Sequence, residues 1–296
     1  WEGKMSTSDQ IIGARLPRPD ARRLAAGRGT FTDDLALPRM VHMAFVRSPY
    51  AHALIKSIDT ADARQAEGVV RVITAQDLAD ICTPFIAGIE FLPNMISPPQ
   101  YPLTPVEVIY QGEAVCAILA ESRALAEDAA ELVQVEWDEL PAVVDPDAAL
   151  EPGTPLVHSE LESNLAMAMP IVEGDTEKAF AEAAVVVEHE FEFGRQSGLA
   201  LETRSVLADF EPAGRQLTVY QSHQSPYQMQ DVYARHLGLE EHQVRVIAKD
   251  VGGAFGLKLH AYPDEMAAVA ASVLLGRPVK YIADRQESFF SDIHAR

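Results

Sequence analysis

Cysteine is nearly absent. The 296 residues hold two, Cys82 and Cys116, and their separation is not the Cys-x-x-Cys spacing of a zinc site or an iron–sulfur cluster. This excludes a cluster built by the chain alone, and such cysteine usage fits a reducing, cytoplasmic setting. Positive charge is also scarce, with 24 Lys and Arg against 44 Asp and Glu for a net charge of −20. A surface of that sign repels phosphate backbones and anionic lipid, so nucleic acid is not an expected partner. No run of about 18 apolar residues is present to span a bilayer, so membrane insertion is not expected either.

Familiar catalytic signatures are missing too. No Gly-x-Ser-x-Gly elbow presents a serine, and neither cysteine has a histidine setting, which leaves hydrolase chemistry unsupported. His223, His260 and His294 share no metal-ligand spacing, so direct protein ligands to a metal are not expected.

What is present reads as α+β. The length allows about two domains, each able to bury its own core. In the first half Met40 to Val46 and Val69 to Ile73 predict strands, and Thr74 with Asp77 predicts a capped short helix. Ser122 caps a predicted helix with Leu125, Ala129 and Leu132 on one face; Val133, Val135 and Trp137 then alternate as a half-buried strand. Cys116 lies in the apolar run Ala114 to Ala120 and reads as a packing residue. Phe85 to Pro105 is rich in proline and predicts an extended surface excursion. A shift toward Pro, Gly, Ser and Asn from about Asp145 to Pro170 predicts a linker.

The second half predicts a strand over Val185 to Phe193 and a hairpin across Glu211 to Arg215. Two helix-then-strand units follow. One runs from Ser225-Pro226 to Gly238 and on to Val244–Ile247; the other runs from Asp264 to Gly276 and on to Val279–Ile282.

After the strand at Val244 comes Lys249-Asp250-Val251-Gly252-Gly253-Ala254-Phe255-Gly256-Leu257-Lys258, three glycines around one aromatic. Leu257 stands between Gly256 and Lys258, which breaks the phosphate-loop pattern, and Gly-x-Gly-x-x-Gly is not formed. Glycine here lets backbone N–H groups approach an oxyanion or a metal-oxo group, so the loop reads as a ligand cradle, with a structural turn as the alternative. Gln221-Ser222-His223-Gln224-Ser225 precedes the Pro226 helix, where Gln224 can hold an oxo or hydroxyl ligand; simple helix capping is the other reading. His223 is a candidate base without an evident carboxylate partner. Glu202 reads as half of an ion pair with Arg204 or another basic residue. Lys258 reads either as a counter-charge to an anionic cofactor or as a solvated lysine.

Taken together, the motifs resemble one family. Gly29-Thr30-Phe31-Thr32-Asp33-Asp34, Val46-Arg47-Ser48-Pro49-Tyr50-Ala51-His52-Ala53, Gly112-Glu113-Ala114-Val115 and Ala126 to Val133 resemble the α/β hammerhead domain of the large subunit of molybdenum hydroxylases. That group comprises xanthine dehydrogenase, aldehyde oxidase and carbon monoxide dehydrogenase. Ser222-His223-Gln224, Val251 to Lys258 and Gly276-Arg277-Pro278-Val279 resemble the first part of its molybdopterin-binding domain.

The resemblance implies a hammerhead domain over residues 12–145, a linker over 146–164 and the start of the molybdopterin-binding domain over 165–296. It implies an oxidoreductase that hydroxylates an aldehyde or N-heterocycle with water as oxygen source. Gln224 would contact an oxygen ligand of molybdenum, and Gly252, Gly253, Ala254, Phe255 and Gly256 would line the cofactor, with the N–H groups of Phe255 and Gly256 facing the metal centre. Leu257 and Leu259 are substrate-side candidates; Leu259 stands where purine-oxidising members carry Glu. The pterin's sulfurs would hold the metal, in the cytosine dinucleotide form if the source is bacterial. The base glutamate and most pterin contacts fall in sequence this chain lacks. It is therefore expected to be a split or truncated subunit in a hetero-oligomer, completed by a second molybdenum-binding chain or the missing C-terminal half, a 2Fe-2S subunit and an FAD subunit. The rival expectation is a non-catalytic binding or assembly module that retains the fold.

Overall fold

The computed structural model describes residues 12–86, 92 and 94–294. Among the described residues ten strands are formed: β1 (Val41–Arg47), β2 (Ala53–Asp59), β3 (Val69–Thr74), β4 (Glu107–Val108), β5 (Ala114–Ala120), β6 (Gln134–Glu139), β7 (Ser205–Glu211), β8 (Gln216–Gln221), β9 (Val244–Ile247) and β10 (Val279–Ile282). The helices are α1 (Ala21–Ala25), α2 (Ala61–Gln65), α3 (Ala75–Leu78), α4 (Arg123–Ala130), α5 (Thr176–Glu182), α6 (Pro226–His236), α7 (Pro263–Leu275) and α8 (Arg285–Ser291). The class is α+β, as expected. No helix among the described residues is long and apolar enough to cross a membrane.

Seven strands make one sheet in the order β3-β5-β1-β10-β7-β8-β9, and β4-β2-β6 make a second. Continuity between the halves comes from β1 and β10, which pair in parallel with Val41 opposite Val279. The expectation that each half closes a core of its own is therefore corrected. Val41, Met43, Phe45 and Leu119 of the first half pack in one cluster with Val206, Met266, Val269 and Tyr281 of the second. A smaller cluster, including Ala53, Val72, Val115, Ile118 and Ala126, fills the other face beneath the second sheet. Buried on both faces, β5 reads as continuous Ala114–Ala120 with no alternation.

Most predicted elements form where their local chemistry directs. The Thr74–Asp77 capping box closes α3, and Ser122 accepts the Leu125 N–H at the start of α4. Gly276 ends α7 in the left-handed region at φ +59°. Ser225 precedes α6 without a side-chain capping bond.

Other expectations are corrected. Leu132 lies beyond α4 and is 43% exposed, because the helix stops at Ala130. The proline-rich excursion is anchored in part: Phe85 bridges Gln100, and Leu103 enters the main core at 1% exposure. Residues 87–91 and 93 lie outside the described residues. Val185 to Phe193 forms no strand, and residues 171–196 are exposed throughout.

Across the join runs a buried charge network. Arg204, 1% exposed, donates to both oxygens of Asp264 at 2.6 and 2.8 Å and to Asp292 at 2.5 Å. Arg47, on β1, donates to the same Asp264 at 2.9 Å and to Glu287 at 2.9 Å. Burial works to raise the Asp264 pKa, but the two guanidinium groups hold it below the usual carboxylate range. Its neighbour Glu265 is pushed up to about 8, chiefly by burial, which the attraction of Arg204 does not offset.

Folded Glu265 thus keeps its proton up to about pH 8, whereas the unfolded carboxyl loses it near 4.5. Between those values the folded state holds more protons, so this group's contribution to stability falls as pH rises. Glu265→Gln mimics the neutral form. Its melting temperature relative to wild type is expected to rise by several degrees from about pH 5 to about pH 8. Thermal denaturation across that range checks this, and a pH-independent difference would show that Glu265 is ionised in the folded chain.

Candidate functional site

Because β8 and β9 are parallel neighbours, with Tyr220 opposite Ile247, their carboxyl ends deliver two loops to the same end of the sheet. One is Ser222–Ser225 and the other is the glycine loop. Backbone and side chain bind them together: Gln224 N–H donates to the Lys258 carbonyl at 2.8 Å, and Gly256 N–H donates to Gln224 Oε1 at 3.1 Å.

The glycine loop is held in conformations that L side chains resist. Gly253 has φ +102°, Gly256 φ +89°, and Phe255 itself sits at φ +52° and is 72% exposed. Gly252 is required by close approach: a Cβ there would fall 2.5 Å from the Cβ of Glu202. At its base, Asp250 accepts two bonds from Arg23, at 2.6 and 2.7 Å, and the Thr30 N–H at 2.7 Å. Those bonds hold Asp250 well below the usual carboxylate range.

The free donors of this loop are specific. The N–H groups of Gly253, Ala254 and Phe255 have no hydrogen-bond partner among the described residues, and neither does the Gln224 side-chain NH₂. Gln224 Oε1 already accepts from Gly256, so the amide has donors left to offer. The Gly256 N–H, expected to face a metal centre, is taken by Gln224 in this conformation. Leu257 is buried at 5% exposure and Leu259 is 42% exposed.

Beneath the loop, Lys258 is not solvated. It is 1% exposed and donates to Glu202 at 3.0 Å and Ser222 at 2.8 Å. Glu202 pairs with Lys258, while Arg204 is committed to Asp264 and Asp292. One oxygen of Glu202 also accepts from Ser222 at 2.5 Å and from the Gly252 N–H at 2.7 Å. Burial pulls the Lys258 pKa down, with Glu202 opposing the shift. His223 is no base: it is buried, its Nδ1 accepts the Ser225 N–H at 3.0 Å, and its Nε2 lies 3.3 Å from the His260 carbonyl. Burial lowers its pKa and keeps it neutral. Among the described residues no group of three His, Cys, Asp or Glu is placed to hold a metal ion.

Two family models match. Residues 26–141 match "aldehyde oxidase and xanthine dehydrogenase, a/b hammerhead domain", and residues 157–296 match "molybdopterin cofactor-binding domain". The chain belongs to the aldehyde oxidase and xanthine dehydrogenase family. Among family members, it is 38% identical to the nicotine 6-hydroxylase large subunit of Paenarthrobacter nicotinovorans, over 96% of this chain and 35% of that one. It is 35% identical to the carbon monoxide dehydrogenase large chain of Afipia carboxidovorans, over 97% of this chain and 36% of that one. The fold matches quinoline 2-oxidoreductase from Pseudomonas putida 86 with a TM-score of 0.91, 38% identity and coverage of 96% of this chain and 36% of that one. This chain thus spans about a third of the length of the family proteins it matches.

The loop fits the family's molybdopterin. Three consecutive backbone donors and one amide suit oxo and anionic groups and add no titratable side chain. Sequence reasoning found these donors through the glycines but missed the Glu202–Lys258–Ser222 cluster beneath them, whose members are 20 to 56 positions apart. The signal was a lysine directly after an apolar residue in a loop, which reads equally well as solvated.

Glu202→Ala strands a buried ammonium and is expected to cost about 3–5 kcal/mol, while the double variant Glu202→Gln/Lys258→Met recovers most of that loss. Chemical denaturation measures both. A double variant as unstable as Glu202→Ala would show that packing, and not the charge pair, sets the cost.

Proposed function

We propose that this chain is the N-terminal part of the molybdenum-binding subunit of a molybdenum hydroxylase that oxidises an aldehyde or N-heterocycle with water as oxygen source. The observation that carries the reading is the donor set: the N–H groups of Gly253, Ala254 and Phe255 and the Gln224 amide, all without partners among the described residues. When bound, molybdenum held by the pterin's sulfurs supplies the redox and oxygen-transfer chemistry. Gln224 would donate to an oxygen ligand of that group, and its own Oε1 accepts the Gly256 N–H, which restrains rotation of the amide. The three N–H groups hold oxo or anionic groups without taking up a proton. Gly252 and Gly256 line the same loop. Leu259, 42% exposed, offers an apolar side chain where a purine-reading carboxylate would stand, and Leu257 is buried; nicotine and quinoline, named for two of the similar proteins, are N-heterocycles.

The base glutamate and the remaining cofactor contacts come, in this reading, from polypeptide beyond this chain, as a second molybdenum-binding chain or a C-terminal half. A 2Fe-2S subunit and an FAD subunit carry electrons away, and a bacterial source implies the cytosine dinucleotide cofactor. The cytoplasmic assignment is supported by two free, buried thiols, each pushed up to about 12 by burial. The division at residues 146–164 overlaps the gap between the matched ranges, residues 142–156, and its last residues fall within the second range.

In the reconstituted holoenzyme, Gln224→Ala is expected to fold normally and to lower turnover per bound molybdenum by about 10- to 1000-fold. Gly256→Val is expected to lose cofactor as well, since a β-branched residue resists φ +89°. Wild-type turnover per molybdenum in Gln224→Ala would remove the assignment and favour a non-catalytic binding or assembly module.

Purified alone, the chain is expected to carry little or no molybdenum or pterin. Stoichiometric molybdenum by elemental analysis would show that the cofactor contacts are complete within these residues.

A further inference from the structure

One residue decides how a free donor of the cradle is aimed. Glu202 holds Gly252 from both sides: its backbone N–H donates to the Gly252 carbonyl at 3.1 Å, and its Oε2 accepts the Gly252 N–H at 2.7 Å. The two residues touch, since a Cβ on Gly252 would fall 2.5 Å from the Glu202 Cβ. In a planar trans peptide the C=O and the N–H that follows it point in opposite directions. Fixing the Gly252 carbonyl on Glu202 therefore turns the Gly253 N–H away from Glu202, where it has no partner among the described residues. The Leu257 N–H acts in the same way on the Phe255 N–H, by donating to the Ala254 carbonyl at 2.9 Å.

Glu202 is also more than a counter-charge to Lys258. The Lys258 ammonium at 3.0 Å, the Ser222 hydroxyl at 2.5 Å and the Gly252 N–H at 2.7 Å all converge on Oε2, while Oε1 is buried with no hydrogen-bond partner. A carboxylate placed only to neutralise an ammonium would share its donors between both oxygens, because an unpaired buried oxygen is costly. The segment that carries Glu202 is itself anchored. Arg285, on α8, donates to the Ala200 and Leu201 carbonyls at 2.7 and 3.1 Å, and Arg204 is held by Asp264 and Asp292. Lys258 in turn offers its carbonyl to the Gln224 N–H at 2.8 Å, so the pair reaches the second donor loop as well.

We propose that Glu202 is a positioning residue, which sets the direction of the Gly253 N–H and, through Lys258, the seat of Gln224 for the group that the cradle receives. The proposal rests on the reading of the cradle as part of a molybdopterin site. What position 202 must supply is an acceptor for the Gly252 N–H. Its charge is required only because Lys258 is charged and buried.

Three variants test this. Glu202→Leu/Lys258→Met removes the acceptor and the ammonium together and leaves no unpaired charge; Glu202→Gln/Lys258→Met restores a neutral acceptor. Gly252→Ala keeps the ion pair and pushes the loop off the Glu202 Cβ, and since Gly252 has no positive φ it adds contact without backbone strain. Residual dipolar couplings of the chain's amides report N–H orientation with no cofactor present. The Gly253 coupling is expected to depart from wild type in Glu202→Leu/Lys258→Met and in Gly252→Ala, to return in Glu202→Gln/Lys258→Met, and to do so while the couplings of β8 and β9 stay constant. In the reconstituted holoenzyme, the first and third variants are expected to lose molybdenum on dialysis about 10-fold faster than wild type, and the Gln/Met variant at close to the wild-type rate.

A wild-type Gly253 coupling in Gly252→Ala, or in a folded Glu202→Leu/Lys258→Met, overturns the proposal and leaves the molybdopterin reading standing. A Gln/Met variant whose Gly253 coupling departs as far as that of Leu/Met also overturns it, because charge and not an acceptor would then be what counts. Couplings that change as expected while molybdenum is lost at the wild-type rate uphold the positioning role and remove the reading of these donors as cofactor contacts.

Discussion

Everything else in this structure depends on Asp264 and the two arginines that share it. Arg47 reaches it from a strand near the N-terminus and Arg204 from the entry to β7, so one carboxylate fastens both halves of the chain to the start of α7. An isolated charge in this position would cost several kcal/mol; two guanidinium groups within 2.9 Å make ionisation the stable choice. The Tyr262 ring lies 3.8 Å from the Arg204 guanidinium carbon and covers its remaining face. With the network in place, β1 and β10 pair, α7 lies buried against β7 and β10, and the sheet is continuous across the two matched family regions.

The same economy of charge governs the cradle. Glu202 accepts from Lys258, Ser222 and the Gly252 N–H through one oxygen, so a single side chain fixes the floor under both loops. Its backbone N–H also donates to the Gly252 carbonyl at 3.1 Å, closing the contact from the other side. The other oxygen of Glu202 is buried with no hydrogen-bond partner among the described residues, and the donors left over in the loops are neutral. A site of that kind stabilises negative charge on a ligand without changing its own protonation.

Much of the fold was legible because its determinants are local. Gly276 in the left-handed region, the Thr74–Asp77 box, Pro226 at the first turn of α6 and the alternation of Val135 and Trp137 each report on a few neighbouring residues, and each was readable. Val185 to Phe193 was read as a strand on the same local grounds and forms none here, since a strand needs a partner as well as a pattern. Leu103 looked like surface because proline surrounds it, yet the bridge between Phe85 and Gln100 draws its loop onto the core.

The sequence by itself determined the element types, the order of motifs and the glycine positions of the cradle, because backbone conformation and periodicity are properties of short windows. Only the tertiary structure decided that Lys258 is buried against Glu202, that Arg204 belongs to Asp264, and that β1 joins β10 to make one core from two halves. Those outcomes depend on which distant residues share a low-dielectric volume, where an unpaired charge is too costly to leave, and no local pattern encodes that choice.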